Sequence, residues 1–396
     1  MANVSSSNGL EKRPKLRFPG FDEPWKAALL SDYFVKNIKK NADGAITNVI
    51  CNSAKQGLIP QRNYFDKDIA NSDNTDGYYI IETNDFVYNP RKSTDAPYGP
   101  ISCYKYPEAG IVSPLYLCFR AKQEINPLYF EWCFRSSVWH RYIYMSGDSG
   151  ARHDRVSIKD DTFFAMPINI PSAKEQDRIA LFLNAIEQRI DKQRSLVEAL
   201  KKYKRGVTNA IFNKDLRFAS KETTYPKWEQ KYIGEICKIQ TGKSNTQDET
   251  VHGCFPFYVR SPIVRKSNRY LFDCEAVLTV GDGVGTGKVF HHVTGKFDLH
   301  QRVYAMTDFK LVSGKYFYYY FSNFFYDRVM RMTAKTSVDS VRYEMIDRMP
   351  ILIPCKEEQC QIVRLLNLLE KEVRDAEVKL TLLEKLKSGF LQQLFI

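Results

Sequence analysis

Residues 166–190 read MPINIPSAKEQDRIALFLNAIEQRI, and residues 349–373 read MPILIPCKEEQCQIVRLLNLLEKEV. The two stretches align without a gap at a constant offset of 183, sharing a Met-Pro start, a second proline, a Glu-Gln pair and regularly spaced apolar residues. Internal repeats are sought first, because each repeat corresponds to a structural unit. The repetition therefore predicts a duplicated chain in which a globular part followed by a long helix occurs twice.

A second correspondence lies upstream of each helix. Trp25 in GFDEPWKAALLSDYF matches Trp228 in TTYPKWEQKYIGEIC at an offset of 203. Because this offset exceeds the first by 20, the segment between the tryptophan and the helix is 20 residues shorter in the second copy. A chain of 396 residues is expected to hold more than one domain, at roughly 100–200 residues per domain. The repeat identifies two of them.

The start of each helix is marked in the sequence. A proline ends each extended Ile-x-Ile-Pro segment, since proline lacks a backbone N–H and disfavours helix just before it. Ser172 and Glu175 have the spacing of a capping box at the first start. The second copy has Cys355 and Glu358 there, which predicts a weaker cap.

Beyond these starts, apolar residues recur with the 4-3 spacing of a coiled coil. The predicted seam comprises Ile179, Leu183, Ile186, Ile190, Val197, Leu200, Ile362, Leu366, Leu369, Val373, Leu380 and Leu383. The alternative is that each helix packs only on its own domain, but the matched length and position of the stripes favour pairing. Two domains related by a pseudo-twofold axis require the paired helices to be antiparallel.

The segments outside the helices have short runs of Tyr, Phe, Val and Ile broken by Gly, Pro, Asn and Asp. This pattern is typical of short strands joined by turns, and helical runs at 126–144 and 315–332 interrupt it. We therefore predict an α+β fold. The predicted segments are a disordered N-terminus (1–13), a first domain (14–172), a first helix (173–213), a second domain (214–354) and a second helix (355–396).

Composition narrows the class of protein. Apolar residues make up 43% and charged residues 26%, which is typical of globular chains. No apolar run approaches the ~18 residues of a membrane helix, and no signal-peptide pattern occurs at the start. Nine scattered cysteines without a CxxC pair indicate reduced thiols in a cytoplasm and no zinc site.

The charge points to a polyanionic partner. The net charge is +12, of which 173–213 carries +4 and 355–396 carries none, leaving +8 outside the helices. An excess of this kind favours nucleic acid as a partner. If the chain binds DNA, we expect the globular parts to contact it.

Motifs for catalysis or metal binding are absent from the sequence. The segment GDGVGTGK (281–288) lacks the Ser or Thr that follows Lys in a Walker A loop, so a tight glycine turn is expected. His291, His292 and His300 have no zinc-ligand spacing around them. No GxSxG elbow and no Asn-Pro-Pro-Tyr or Asp-Pro-Pro-Tyr methyltransferase motif occurs. We predict neither a catalytic site nor a metal site.

Basic residues in turn-rich segments are the candidates for DNA contacts. Arg suits bidentate contact with guanine, whereas Lys more often binds phosphate; for each residue, an ordinary solvated surface position remains the alternative. The candidates are Arg91, Lys92, Lys105, Arg152, His153 and Arg155 in the first domain and Lys243, Ser244, Arg260, Arg265, Lys266, Arg302, Lys335 and Thr336 in the second. Arg152 and Lys335 occupy equivalent repeat positions. The run Lys201, Lys202, Lys204 and Arg205 is either an exposed helix face or a docking surface.

The combination of these features resembles the specificity subunit of type I restriction-modification systems. The resemblance runs from about Pro14 to the end of the chain and rests on LRFPGFDEPW, IPSAKEQDRI, IPCKEEQCQI, GDGVGTGKVF and LHQRVY. It implies two target recognition domains, each reading one half of a split double-stranded DNA site. It also implies that the helices form a spacer on which two modification subunits dock.

The same resemblance assigns the chemistry to other chains. The modification subunits would bind S-adenosylmethionine and methylate adenine, and two restriction subunits would use ATP and Mg to translocate and cut DNA. The specificity subunit would catalyse nothing and bind no cofactor of its own. No membrane association is implied, and the complex would be cytoplasmic.

Helix length agrees with a spacer. The first predicted helix has 41 residues, or roughly 60 Å at ~1.5 Å per residue, which spans about 18 base pairs. Two rival functions remain: a single-chain nuclease or methyltransferase with its own recognition domain, and a coiled-coil scaffold without DNA specificity. The missing catalytic motifs weigh against the first, and the basic excess outside the helices weighs against the second.

Overall fold

The structure is a computed structural model that describes residues 3–4, 13–63, 75–147, 154–218, 225–283, 285–332 and 340–396. Two compact units are present: Met1–Gln193 with Lys379–Ile396, and Arg194–Val378. Each long helix contributes one part to each unit. None of the helices within the described ranges is long and apolar enough to cross a membrane.

The elements of the first globular part are short strands with four short helices, and the first long helix follows them. The strands are β1 (Asn3–Val4), β2 (Leu16–Arg17), β3 (Lys26–Leu29), β4 (Phe34–Lys36), β5 (Ile50–Ser53), β6 (Gly57–Pro60), β7 (Tyr79–Ile81), β8 (Phe86–Tyr88), β9 (Ile101–Cys103), β10 (Gly110–Val112), β11 (Leu117–Ala121) and β12 (Pro167–Ile170). The helices are α1 (Leu30–Tyr33), α2 (Pro127–Arg135), α3 (His140–Ser146), α4 (Asp160–Phe164) and α5 (Ala173–Phe212), with a 3-10 turn at Gln61–Asn63.

The second globular part has the same kinds of element, and the second long helix ends the chain. The strands are β13 (Glu229–Tyr232), β14 (Lys238–Thr241), β15 (Phe255–Tyr258), β16 (Arg265–Ser267), β17 (Phe272–Asp273), β18 (Ala276–Val280), β19 (Phe290–Val293), β20 (Lys296–Leu299), β21 (Val303–Thr307) and β22 (Pro350–Ile353). The helices are α6 (Ile233–Ile236), α7 (Gly314–Met332), α8 (Tyr343–Asp347) and α9 (Lys356–Leu394), with a 3-10 turn at Thr246–Asp248.

The topology of the two parts is the same. The antiparallel sheet β4-β11-β8-β9 of the first recurs as β14-β21-β18-β19 in the second, and the pair β3-β12 recurs as β13-β22. The antiparallel pairs β5-β6 and β7-β10 recur as β15-β16 and β17-β20. Each strand from β3 to β12 therefore has its counterpart ten strands later, which confirms the predicted α+β fold with an internal repeat.

The sheets β4-β11-β8-β9 and β14-β21-β18-β19 each lie between a helix and further strands of the same unit. In the first unit, Phe34, Phe86 and Phe119 pack against Phe130 and Phe134 of α2 in one core. The opposite face of the sheet packs in a second core with β5 and β10. The second unit repeats both cores, with α7 in the place of α2. The inner strands β8 and β18 are buried on both faces, which is why their sequences, FVY and AVLTV, are continuous apolar runs.

Within each unit, a segment of α5 pairs with a segment of α9. In the first unit, the rings of Phe182 and Phe390 lie 5.0 Å apart, and Lys387 Nζ lies 2.8 Å from Glu187 Oε2. Residue numbers fall along one helix as they rise along the other, so the pair is antiparallel.

The second unit has the equivalent helix contact. Lys204 Nζ lies 3.7 Å from Glu370 Oε1, and both residues are 183 positions from their counterparts Lys387 and Glu187. Lys201 Nζ lies 3.0 Å from Glu377 Oε1. Two lysines of the basic run on α5 therefore bind the second helix.

All twelve predicted seam residues are buried or half-buried. Ile179 and Leu183 are fully buried in the core of the first unit, in one cluster with Trp25 and with Leu394 of α9. Ile362 and Leu366 have the same place in the core of the second unit. The first two turns of each apolar stripe thus attach the helix to a globular core.

The helix starts differ from the capping box that the sequence predicts. Ser172 Oγ accepts a long hydrogen bond of 3.4 Å from the Glu175 backbone N–H, as expected. The Glu175 carboxylate, however, accepts two hydrogen bonds of 2.8 Å from the Arg17 guanidinium instead of binding the cap. Arg217 donates to Glu358 in the same way, at 3.1 and 2.8 Å.

The structure differs from two further predictions, one for the N-terminal segment and one for the helical run 126–144. Asn3–Val4 pair with Leu16–Arg17, so this part of the predicted disordered segment 1–13 is a strand, and residues 1–2 and 5–12 lie outside the described residues. The single helical run 126–144 is two helices. The chain leaves the helix at Ser136, whose hydroxyl donates to the Cys133 carbonyl.

Candidate nucleic-acid interface

Three loops at one edge of each unit carry most of the candidate contact residues that come together. In the first unit these loops follow β5, β8 and β10, and in the second they follow β15, β18 and β20. Arg155 comes from a fourth segment, between α3 and α4. The loops are equivalent because the strands that carry them are equivalent. They differ in length and sequence, as expected for segments that carry recognition on a common scaffold.

A cleft of about 790 Å³ opens between the three loops of the first unit. Its walls hold three of the predicted contact residues, Arg91, Lys92 and Arg155, together with several amide and hydroxyl side chains. The remaining polar residues of the lining are Asn52, Ser53, Lys55, Gln56, Asn89, Ser93, Asp95 and Ser113.

Buried hydrogen bonds hold the walls of this cleft together. The Asn52 amide donates to the Val87 carbonyl at 2.8 Å and accepts from the Ser102 hydroxyl at 2.8 Å. The Asn89 amide donates to the Asn52 carbonyl at 3.1 Å. Gly99 closes the loop with φ +82°, and a Cβ there would lie 2.0 Å from the Asn89 carbonyl oxygen, so only glycine fits.

The cleft has a strong positive charge. Arg91 and Arg155 face each other in an antiparallel bridge, and Lys92 N donates to the Asp154 carbonyl at 2.8 Å. Within the described part of the chain, Arg91, Lys92 and Arg155 make no ion pair; only Lys55 does, with Asp95 at 3.5 Å. Like charges placed together without partners favour an anionic ligand.

The second unit brings Arg260, Asp282 and Arg302 together at the equivalent place. Arg260 Nη1 lies 3.3 Å from Asp282 Oδ1, and Arg302 Nε lies 3.7 Å from Asp282 Oδ2. Gly281 N donates to the Arg302 carbonyl at 2.8 Å. A Cβ on Gly281 would lie 2.8 Å from that carbonyl oxygen, so the close approach of the two loops requires glycine.

A buried histidine supports the Arg302 turn. His300 Nδ1 accepts a hydrogen bond of 3.0 Å from the Arg302 backbone N–H. Burial, reinforced by the nearby Arg260 guanidinium, lowers the pKa of His300. The ring is therefore held neutral, which is the form that can accept this bond.

The prediction that Ser244 contacts DNA is wrong. Its side chain is 1% exposed, and its hydroxyl lies 2.7 and 2.8 Å from the two carboxylate oxygens of buried Asp298. Arg269 Nη2 donates to the same hydroxyl at 2.9 Å. Ser244 binds the loop after β14 to β20, while its neighbour Lys243 stays exposed beside the Arg302 turn.

Other predicted contact residues are placed differently. Lys105 Nζ lies 2.7 Å from the carboxylate of buried Glu131, so it neutralises a core charge and lies on none of the three loops. Arg265 is exposed and pairs with Glu249 at 2.9 Å, and the adjacent Lys266 is exposed. Four predicted residues lie outside the described residues: Arg152, His153, Lys335 and Thr336.

Several residues at the candidate interface are not among those predicted from the sequence. Lys55 and Gln56 form the turn of the β5-β6 hairpin and line the first cleft, and Asp282 lies between two predicted arginines. The turn signal in CNSAKQGLIP marks the first pair. Nothing in the local sequence marks Asp282, because its arginine partners come from separate loops.

The histidines considered as metal ligands have other contacts. His292 Nε2 lies 2.8 Å from Glu275 Oε1, and the His291 ring packs on Tyr258 at 4.9 Å. Across the described ranges, no three His, Cys, Asp or Glu side chains are grouped so that they could hold a metal ion. Gly283 and Gly287 of the GDGVGTGK segment, which lies between β18 and β19, have positive φ, and Val284 lies outside the described residues.

A largely apolar groove lies where a long helix meets the Leu-Arg-Phe segment of each unit, and the two linings share the equivalent positions Leu16 and Leu216, and Phe390 and Val207. The Leu-Arg-Phe segment occurs at 16–18 and again at 216–218, at an offset of 200. The groove of the first unit, about 270 Å³, is lined by Leu16, Phe18, Pro19, Phe182, Phe390 and Leu394. The groove of the second unit, about 500 Å³, is lined by Ala199, Tyr203, Gly206, Val207, Ala210 and Leu216.

Comparison with known proteins gives consistent matches. Residues 225–384 match the family model of the type I restriction modification DNA specificity domain. The chain is similar to the specificity subunit of the type I restriction enzyme EcoDI of Escherichia coli, with 25% identity over 168 residues. That alignment covers 42% of this chain and 36% of the relative, so it spans about a third of the relative's length.

Solved structures resemble this chain over almost its whole length. The S subunit of a type I restriction-modification system from M. genitalium has a TM-score of 0.60 at 13% identity, covering 97% of this chain and 99% of its own. The HsdS subunit from Thermoanaerobacter tengcongensis has a TM-score of 0.51 at 15% identity, covering 96% and 97%. At these identities, the similarity establishes a common fold.

Proposed function

Because residues 225–384 match the type I specificity domain and the chain shares the fold of solved S subunits, we propose that it is the DNA-recognition subunit of a type I restriction-modification complex. Each unit reads one half of a bipartite double-stranded site through its three loops. The long helices set the unread gap. The chain itself is non-catalytic and binds no cofactor.

The equivalent position of the two loop clusters is the main support for this proposal. The sequence-predicted arginines that lie far apart along the chain converge in both units: Arg91 with Arg155 in the first, and Arg260 with Arg302 in the second. A duplicated scaffold with different side chains at one site suits the recognition of two different half-sites. Guanidinium and amide groups in one cleft can contact both phosphates and base edges.

The two apolar grooves are proposed as docking sites for two modification subunits. A partner present in two copies requires two equivalent surfaces, and the grooves contain the repeated Leu16 and Leu216. Tyr203 is 61% exposed in one groove, so its ring is accessible to a partner. The modification subunits would supply S-adenosylmethionine, and two restriction subunits would supply ATP and Mg chemistry in the cytoplasm.

A reconstitution experiment tests the proposal. The full chain is combined with its cognate modification subunits, and methylated positions are mapped by sequencing genomic DNA exposed to the complex. We expect a split motif with a fixed gap, and no methyl transfer by the chain alone. Methylation by the isolated chain would favour the single-chain enzyme, and a complex that binds all DNA sequences equally would favour the scaffold.

A domain exchange makes the test specific to each unit. Replacing residues 14–172 by the corresponding domain of another family member should change one half-site and leave the other half-site and the gap as they were. A matched exchange of 225–354 should change the opposite half. If either exchange alters both half-sites, the assignment of one half-site to each unit is wrong.

A further inference from the structure

The loops after β8 and after β18 occupy equivalent places but differ in charge. At the antiparallel bridge of this loop, the first unit has Arg91 opposite Arg155, whereas the second has Asp282 opposite Ser340. A carboxylate thus occupies the place of a guanidinium on a surface proposed to contact phosphates. On electrostatic grounds alone, Asp282 would weaken DNA binding.

The contacts of Asp282 suggest a different role. Its carboxylate lies between two guanidinium groups, 3.3 Å from Arg260 and 3.7 Å from Arg302. Asp282 is the more buried partner, with 23% of its side chain exposed, against 48% for Arg260 and 64% for Arg302. Both arginines can therefore stay near the carboxylate and still reach a ligand.

The backbone around Asp282 is held by both neighbouring loops. Gly281 N donates to the Arg302 carbonyl at 2.8 Å, and Val341 N donates to the Gly281 carbonyl at 2.7 Å. His300 N donates to the Tyr258 carbonyl at 3.0 Å, which joins the Arg302 turn to the strand that leads to Arg260. The backbone that carries the carboxylate is thus held by main-chain hydrogen bonds and not by the two guanidinium groups.

We propose that Asp282 is a positioning residue for base recognition, which orients Arg260 and Arg302 toward guanine in the half-site read by the second unit. Long side chains lose rotamer freedom when they bind, and a partner that orders them beforehand reduces that loss. Bidentate contact with guanine O6 and N7 depends on the plane of the guanidinium, whereas a phosphate contact does not. This inference rests on the proposed function and deepens it.

The proposal predicts an unusual combination of effects. Asp282→Asn should reduce the preference for guanine over other bases in the second half-site by about tenfold, the order of one bidentate contact. Affinity for unrelated DNA should stay the same or rise, because one negative charge is removed from the surface. A purely structural role for Asp282 would instead lower affinity for all sequences together.

The experiment uses the full chain assembled with its modification subunits. Binding is measured on duplexes that carry the methylated motif, or single base changes in either half, over a series of salt concentrations. Discrimination in the first half-site serves as an internal standard. Asp273→Asn is the matched control, because Asp273 is an exposed carboxylate of the same unit that forms no ion pair with the described residues. Asp282→Glu should retain most of the discrimination.

Arg302→Lys provides a second route to the same conclusion if Asp282→Asn lowers the unfolding temperature. It keeps the charge but loses the planar fork, so it should also lose discrimination in the second half-site. Unchanged discrimination in both variants, equal losses in both half-sites, or the same effect from Asp273→Asn would overturn the proposal. Failure of the unsubstituted complex to recognise a split motif would instead refute the proposed function.

Discussion

Arg17 and Glu175 are 158 residues apart in the chain, and their side chains meet through two hydrogen bonds of 2.8 Å. The pair is almost completely buried, with 10% of the arginine and 1% of the glutamate side chain exposed. Arg217 and Glu358 repeat it in the second unit. The Glu of the repeated Glu-Gln pair therefore binds the start of each long helix to the Leu-Arg-Phe segment of its unit.

Removing the arginine of this pair should be costly. Arg17→Ala leaves a buried carboxylate without its partner, a change that costs about 3–5 kcal/mol of unfolding free energy. Arg217→Ala should cost less, because Glu358 keeps a hydrogen bond of 2.8 Å from the Trp228 indole and Arg217 is 31% exposed. Urea unfolding followed by fluorescence measures both. Equal losses would contradict the role assigned to Trp228.

Glu370 should make stability depend on acid pH. Burial raises the pKa of its carboxyl, but hydrogen bonding from Tyr319 and the charges of Lys204 and Lys315 outweigh this effect and leave the pKa lowered. The folded state then binds a proton less readily than the unfolded state. The contribution of Glu370 to folding stability is present above the ordinary carboxyl pKa of about 4.3. It is lost as the pH falls through the lower pKa that Glu370 has in the folded state.

This dependence can be measured with Glu370→Gln. Unfolding temperatures recorded between neutral and acid pH should fall less steeply for the variant than for the parent below about pH 4.3. Glu372→Gln, at an exposed position two residues along the same helix, is the control and should follow the parent. If the unfolding temperatures of all three proteins depend on pH in the same way, the contacts of Glu370 do not lower its pKa.

The cleft of the first unit should determine the first half-site. Arg91→Ala or Arg155→Ala should relax recognition of that half by about 1–3 kcal/mol if the residue contacts a base. A phosphate contact would lower affinity for all sequences and reduce the salt slope by about 1. Lys174→Ala, at an exposed position on α5, serves as the control in the same binding titrations. If both variants bind DNA as the parent does at every salt concentration, this cleft is not the surface that contacts DNA.

The apolar stripe of the helices should be required for assembly. Ile186 and Leu369 are equivalent in the repeat, and both are half-buried. Ile186→Asp and Leu369→Asp each bring a charge into an apolar contact, which should cost several kcal/mol. Size-exclusion chromatography with the modification subunits measures the effect, with exposed Gln188→Asp as control. Normal assembly of both variants would show that Ile186 and Leu369 do not belong to a helix–helix seam required for assembly.

Helix length should set the gap of the recognised site. Helix α5 is continuous from Ala173 to Phe212, and Glu198 lies within it. Inserting four residues at Glu198 adds about 6 Å and rotates the following part by ~40°, with some loss of stability. At ~3.4 Å per base step, the gap should grow by one or two base pairs while both half-sites stay the same. Methylation mapping measures this, and an unchanged gap in an active complex would contradict a rigid spacer.

The duplication, the long helices and the family were all recognisable in the amino-acid sequence. Helical periodicity is local, because residues three and four apart share a face, so the stripe from Ile179 to Leu200 could be found by spacing alone. The repeat of Glu175 and Gln176 at 358 and 359 identified the two copies. The repeat of Leu-Arg-Phe at 16–18 and 216–218 is likewise present in the sequence.

Which basic residues come together was decided only by the tertiary structure. Arg91 meets Arg155, and Arg260 and Arg302 meet at Asp282, because the strand order brings distant loops to one edge. Turn signals near Ser244 predicted an accessible residue, but burial of Asp298 requires hydrogen-bond donors, and Ser244 supplies one. Local patterns thus determined the helices and the repeat, whereas the recognition surface depends on non-local strand pairing that no single segment encodes.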